Sequence, residues 1–252
     1  MTLAATGRAA PRLLLDAREY AQRVLLQGAD VPWEPTAHAR LLAQVGALLR
    51  PDLSLLDLGA YVETELRARR PLSDRMSGAR NPTAALRALL ADDDLAHDAV
   101  ALVRVVTATS PVPVAVQIAS PWAWLAAVAG EARDPEFDAD DAENASVYLA
   151  DWIRRFSGSS VDTLILDGRA APPDETLAAY GPLRGLTDHY RWALALRGRD
   201  TLELTGARGA VLGEGFWLGE GVDSPRTGDL VIGRIDPAAD PETVLDARAR
   251  WN

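Results

Sequence analysis

Acid and guanidinium side chains recur in this chain where short apolar runs end, and that spacing is one that chemistry can use. The run Val161 to Asp167 is followed by Gly168 and Arg169, and the run around Trp192 to Leu196 by Arg197. A glycine-punctuated stretch from Gly209 to Leu218 contains Glu214, and the run Asp229 to Ile235 is followed by Asp236. An earlier run from Val112 contains Gln117 and closes on Ser120, with Trp122 just beyond. If these runs are parallel strands, all eight residues lie at or near strand carboxyl ends and face one mouth. Asp167 or Asp236 would then transfer protons or hold an amine, while Arg169 or Arg197 grips a carboxylate through paired N–H donors. Gln117, Ser120, Trp122 and Glu214 would complete the binding surface. The same charges could instead tie loops together as ion pairs. Trp122 could floor a pocket or pack under the helix that follows, and packing is the expectation for Trp124.

Several chemistries are excluded outright. The 252 residues contain no Cys, which removes disulfides, thiolate metal ligands and cysteine nucleophiles. All 26 cationic Lys/Arg side chains are Arg, so Schiff-base chemistry and a P-loop lysine are absent too. A G+C-rich coding composition accounts for the missing lysine. The three His are scattered: His38 and His97 are expected on helix surfaces, and His189 before a strand, bonded to a backbone carbonyl. No metal site and no cofactor is expected. The acidic stretch 131–143 lacks the ligand alternation and central Gly of a calcium loop and reads as a solvated lid. Gly213-Glu214-Gly215 and Gly219-Glu220-Gly221 do not form a dinucleotide fingerprint. A net charge of −10 argues against nucleic acid as a partner. There is no apolar run long enough for a membrane span and no signal-peptide pattern, so a cytoplasmic location is expected.

The elements that must hold these residues change style along the chain. Residues 1–11 read as a loose tail, and 12–252 as one domain, with 48% apolar residues to fill its core. From 12 to 109 the pattern is helical. Leu14, Ala17, Ala21, Val24 and Leu25 form one stripe, and Thr36 caps a helix bearing Leu41, Leu42, Val45, Leu48 and Leu49. Leu53 to Leu58 fits either a short strand or a helical turn. Tyr61 to Arg69 reads as helix and 70–80 as loop. Asn81-Pro82 starts a helix to Leu90, and the acids 92–94 start another to Ala108. From 110 to 252 strand and helix alternate: strand from Val112, helix Asn144 to Phe156 and strand Val161 to Asp167 make a βαβ crossover. Pro172-Pro173-Asp174 opens a helix interrupted at Gly181-Pro182. Thr201 to Thr205 is a further strand, and Asp240-Pro241-Glu242 caps a last helix. Six strands are convincing.

The final third carries a family likeness. The loop Leu218-Gly-Glu-Gly-Val-Asp-Ser-Pro-Arg-Thr-Gly228, with the strand Asp229 to Pro237, resembles the closing strands of cobalamin-independent methionine synthase barrels. Ser160 to Gly168 is similar to a strand that this family and the related uroporphyrinogen decarboxylases end in an acid, and Pro113 to Pro121 to an earlier one. The resemblance spans residues 110–250 and implies an α/β fold: a (β/α)8 TIM-type barrel, short or incomplete here, behind a helical N-terminal lobe. It implies a small polar or anionic ligand at the carboxyl face, and a decarboxylase or an alkyl transferase. The zinc-binding cysteines of the methionine synthase branch are missing. That keeps a second reading open, a non-catalytic degenerate barrel acting as a binding or partner subunit, alone or as a homodimer.

Overall fold

A computed structural model describes residues 11–129, 138–172, 174–220 and 228–251. Its centre is a mixed α/β assembly: eight strands make a nearly closed, barrel-shaped sheet, with ten α-helices among the described residues. In chain order the first half runs β1 (Arg12–Asp16), α1 (Arg18–Val24), α2 (Pro35–Leu49), β2 (Ser54–Asp57), α3 (Leu58–Ala68), α4 (Arg70–Ser77), α5 (Pro82–Leu90) and α6 (Asp93–Thr109). Then come β3 (Val114–Ala119), α7 (Pro121–Ala129), α8 (Ala139–Ile153), β4 (Val161–Asp167), α9 (Gly181–Tyr190), β5 (Ala193–Arg197), β6 (Leu202–Leu204), β7 (Ala207–Leu212), β8 (Leu230–Arg234) and α10 (Pro241–Trp251). Strands neighbour one another in chain order, and β1 pairs with β8. All pairings are parallel except those of β6, which is antiparallel to both β5 and β7.

The strands alternate between two cores because successive side chains point to opposite faces. Leu14, Ala115, Ile165, Ala195 and Ile232 point inward and fill the barrel with Leu53, Leu202 and Leu230. Leu56, Val116, Ile118, Leu164, Leu166, Leu194 and Leu196 point outward against α3, α5, α6, α7, α8 and α9. Leu13, Leu15, Val231 and Leu212 point outward against α1 and α10. Strands buried on both faces read as unbroken apolar runs, which is why RLLLD and VDTLILD look alike.

The seam between β1 and β2 is the weak closure. Leu13 O accepts from Asp52 N at 2.8 Å and from Leu53 N at 3.3 Å, and Leu14 bridges Leu53. Above that single bridge no ladder pairing joins the two strands among the described residues.

Several expectations are corrected. The stripe beginning at Leu14 is not one helix: residues 12–16 are β1, and α1 starts at Arg18. Leu13, Leu14 and Leu15 are all buried, on both sides of the strand, and that two-sided burial overrides a helical spacing. Of the two alternatives for Leu53 to Leu58 the strand holds: β2 spans Ser54–Asp57, Leu53 bridges Leu14, and Leu58 begins α3. Glu34, not Thr36, caps α2; its carboxylate accepts from Thr36 N and Ala37 N. Residues 70–77 are helical, with Pro71 in the first turn where it lacks only an N–H the helix does not use. A helix, α7, follows β3 directly, and α8 begins at Ala139 under an Asp138–Asp141 capping box. The rest of the acidic stretch, 131–137, and most of the loop 218–228 lie outside the described residues. Gly181-Pro182 begins α9 rather than interrupting it.

Candidate functional site

The inward alternation that buries the leucines also decides what stands above them. Two residues beyond the inward layer of each strand, at the carboxyl ends, come Asp16 of β1, Asp57 of β2, Gln117 of β3, Asp167 of β4, Arg197 of β5 and Arg234 of β8. Register sets neighbours side by side: Asp16 beside Arg234, Asp57 beside Gln117, and Asp167 beside Arg197. A polar ring thus caps an apolar barrel.

Arg197 is the hinge pin of that ring. It is 3% exposed, and its Nη1 donates to Asp16 Oδ2 at 2.8 Å and to Gln117 Oε1 at 3.1 Å. Arg169, just past β4, makes a two-point contact with Asp167, Nε to Oδ1 at 2.8 Å and Nη2 to Oδ2 at 2.6 Å. Its Nη1 stands 3.6 Å from Asp16 Oδ2. Burial opposes the charge on Asp167, but the Arg169 hydrogen bonds and charge, with Arg197, hold its carboxyl below the ordinary range. The same pairing raises the Arg169 guanidinium. Arg234 Nη2 reaches Glu19 Oε2 at 2.7 Å and its Nη1 reaches Glu214 Oε1 at 3.1 Å.

Asp57 behaves differently. Its Oδ1 accepts from Ala60 N at 3.1 Å, capping α3, while Arg18 Nε stands 3.7 Å from its Oδ2. Burial first, then the charge of Asp16, push its carboxyl up to about 6, against the Ala60 hydrogen bond and Arg18; Asp167 adds a smaller push upward. That brings it, unlike Asp167, within reach of proton exchange near neutrality.

Beside Asp167 sits a second arrangement. Tyr180 Oη, fully buried, donates to Glu175 Oε1, and Ser120 and Trp122 N also bond that carboxylate. Burial raises Glu175 against those bonds; burial and the Glu175 charge raise Tyr180. A Cβ on Gly168 would overlap Glu175 Oε2, so only glycine lets this carboxylate lie across the end of β4.

Open space lies on the guanidinium side. A cavity of about 360 Å3 is lined by Arg169, Arg197, Arg199, Arg234, Glu214 and Asp200, with β7 behind it. A second, of about 300 Å3, shares Arg169, Arg199 and Asp200 and is bounded by Glu175. Arg199 Nε donates to Arg169 O at 3.2 Å, which holds it between the two.

Of the residues singled out from sequence, Gln117, Asp167, Arg169 and Arg197 come together in the ring, and Glu214 reaches it through Arg234. Ser120 is fully buried beneath; its N donates to Asp167 O at 2.9 Å and its Oγ accepts from Ala123 N at 3.2 Å, capping α7. Trp122 is half-buried and packs against the outer core. Asp236 follows β8 but turns aside: its Oδ1 accepts from Ala238 N at 2.6 Å, closing a local turn. His97 and His189 are exposed, whereas His38 is not on a helix surface at all. It is 3% exposed, bonds Pro32 O through Nδ1 at 2.9 Å and stacks on Trp33. Among the described residues no group of three or more His, Asp or Glu is placed to hold a metal. No helix of the described residues is long and apolar enough to cross a membrane.

Asp16, Asp57, Glu19, Arg18, Glu175, Arg199 and Arg234 escape the sequence reading. A signal for two of them was present: Leu14-Leu15-Asp16, Leu55-Leu56-Asp57 and Ile165-Leu166-Asp167 repeat one pattern, an apolar run ending in Asp. Compared with known protein families, curated proteins and solved structures, the chain matches none.

Proposed function

We propose that this barrel binds a small polar or anionic molecule at its carboxyl face and acts on it by proton transfer, as a lyase of the decarboxylase kind. In this reading the sheet is a (β/α)8-type barrel, similar to those of uroporphyrinogen decarboxylase and cobalamin-independent methionine synthase, with β6 inverted and its flanking helices replaced by hairpins. The observation that carries it is the polar ring: charged or amide side chains from six strands, raised above an apolar fill and adjoining a cavity of about 360 Å3. Four guanidinium groups line that cavity against two carboxylates, which favours an acid group on the ligand.

Asp57 takes the proton-handling role in place of Asp167, which Arg169 holds ionised. A ligand lying across the ring would set its carboxylate against Arg199 and Arg234 and its reacting carbon toward Asp57. Loss of carbon dioxide breaks the C–C bond and leaves its electron pair on that carbon; the Asp57 proton then forms the new C–H bond, and water reprotonates Asp57. Alkyl transfer is the weaker variant, since nothing here activates an acceptor.

The test is thermal unfolding with phosphate, succinate and citrate, in the parent and in Arg234→Ala and Arg199→Ala. A rise of several degrees, lost in both variants, is expected; a rise unchanged in both, or none with any anion, overturns the reading. The rival, a non-catalytic binding or partner subunit, draws support from the ion pairs that already engage Asp16 and Asp167. Against it, the exposed large apolar side chains among the described residues, Val147, Leu218 and Leu245, stand on α8, on a turn after β7 and on α10.

A further inference from the structure

The splayed seam between β1 and β2 opens onto a different space from the guanidinium-lined cavity. Above the Leu14–Leu53 bridge, Leu15, Asp16 and Arg18 on one side face Leu55 and Asp57 on the other across a cavity of about 40 Å3. Its outer wall is apolar, built by Ala21, Val31, Leu41, Leu42 and Val45 of the α1–α2 layer. The stacked rings of Trp33 and His38, 4.7 Å between centroids, close one side. Such a space holds more than one water and suits a chain of roughly one or two carbons, since a cavity of about 150 Å3 holds a benzene ring.

One end of this apolar slot is polar, and its polarity is unbalanced. Asp16 is engaged by Arg197 at 2.8 Å. Asp57 Oδ1 is engaged by Ala60 N, but Arg18 Nε, at 3.7 Å, lies beyond hydrogen-bond reach of Oδ2. Two carboxylates therefore meet at the slot with a donor lacking on one oxygen. An alcohol would supply the donor without charge, and a carboxylate would add a third negative group.

We propose that the gap between β1 and β2 is a binding site for a short aliphatic primary amine, its alkyl chain against Val31, Leu41 and Val45 and its ammonium on Asp57. The assignment goes beyond the anion reading: the two spaces share no lining residue, and the one group common to both readings is Asp57, the acid of that reading and the ammonium's partner here. It gives the mouth two faces of opposite preference, with the Arg197–Asp16 pair between them.

Calorimetric titration of the full chain at neutral pH with the n-alkylamines from methyl to hexyl tests this. Affinity should rise about fourfold from methyl to ethyl and then fall. n-Alkanols and n-alkylcarboxylates of equal length should bind at least tenfold more weakly. Gly46 of α2 lines the slot and the groove beside it, and a Cβ there would meet nothing within 4 Å, so Gly46→Ala narrows the space without a clash and improves helix propensity. Gly46→Ala and Ala21→Val, from the α2 and α1 sides of the outer wall, should each weaken amine binding at least tenfold while leaving the response to phosphate or succinate intact. Asp57→Asn, which keeps the α3 cap, should weaken amine binding at least tenfold. A flat chain-length profile, stronger binding of the carboxylates, or unchanged binding in both narrowed variants overturns the assignment. Loss of the phosphate response alone would count only against the anion reading.

Discussion

Removing the charge of Asp57 while keeping its shape separates the two things that side chain does, capping α3 and carrying a proton. Because its folded carboxyl stands at about 6, above the ordinary 3.8, its contribution to stability is complete below about pH 4 and lost as pH rises through 6. The groups facing it are Asp16 and Asp167, which oppose ionisation, and Arg18, Arg169 and Ala60 N, which favour it. The difference corresponds to on the order of 3 kcal/mol at alkaline pH. Asp57→Asn should therefore unfold like the parent at pH 4 and at higher temperature than the parent at pH 8. Equal unfolding temperatures at both values would show that Asp57 ionises freely. Asp167 does not offer this handle, since its two-point contact with Arg169 holds it ionised.

At the scale of elements, β8 shows how a single missing side chain sets a packing distance. A Cβ on Gly233 would stand 3.1 Å from Trp217 Cζ2 and Nε1 and 3.4 Å from Leu212 Cδ2, and Trp217 is fully buried against that strand. The indole cannot retreat into a filled core, so Gly233→Ala should cost about 1–3 kcal/mol in urea unfolding. An unaltered midpoint would mean the α10 side repacks freely. The strands most legible in the sequence were those with β-branched, two-face-buried runs bounded by breakers: β3, β4 and β8. β1 and β2 were missed or left open because Leu13, Leu14, Leu15 and Leu55, Leu56 favour helix as readily as strand, and only pairing with β8 and β3 decides. With β1 went Asp16, and with β2 went a firm place for Asp57. Asp236 misled for the opposite reason: its strand was right, but one residue past β8 the chain enters a turn that engages the carboxylate locally. Glu175 and Arg199 lie on loops, whose reach into the mouth no periodicity encodes.

For the molecule as a whole, the inversion of β6 divides the barrel into unlike arcs. From β1 to β5 every strand is followed or preceded by helices that cover its outer face; from β5 to β7 two hairpins replace them. That thinner arc lies behind the guanidinium-lined cavity, through Val211, Leu212 and Gly213. The proposed ligand therefore enters where the wall is slight, and the acids stand where it is thick. Ion pairs across the mouth, Arg197 with Asp16 and Arg234 with Glu19, join residues more than 180 positions apart, so the arcs are clamped at the site itself.

The placement of β1 between β8 and β2 has a consequence for biosynthesis. Of the described strands, the one synthesised first is seated beside the one synthesised last, and its principal ladder, five residues from Arg12↔Leu230 to Asp16↔Arg234, cannot form until residue 234 has been added. Until then two unpartnered hydrogen-bonding rims await capture by any neighbouring polypeptide. A chain stopped after residue 228 should accordingly be recovered in the insoluble fraction, and adding β8 as a separate peptide during refolding should restore soluble monomer. Soluble, cooperatively unfolding product from the stopped chain would show that the remaining seven strands can close without it.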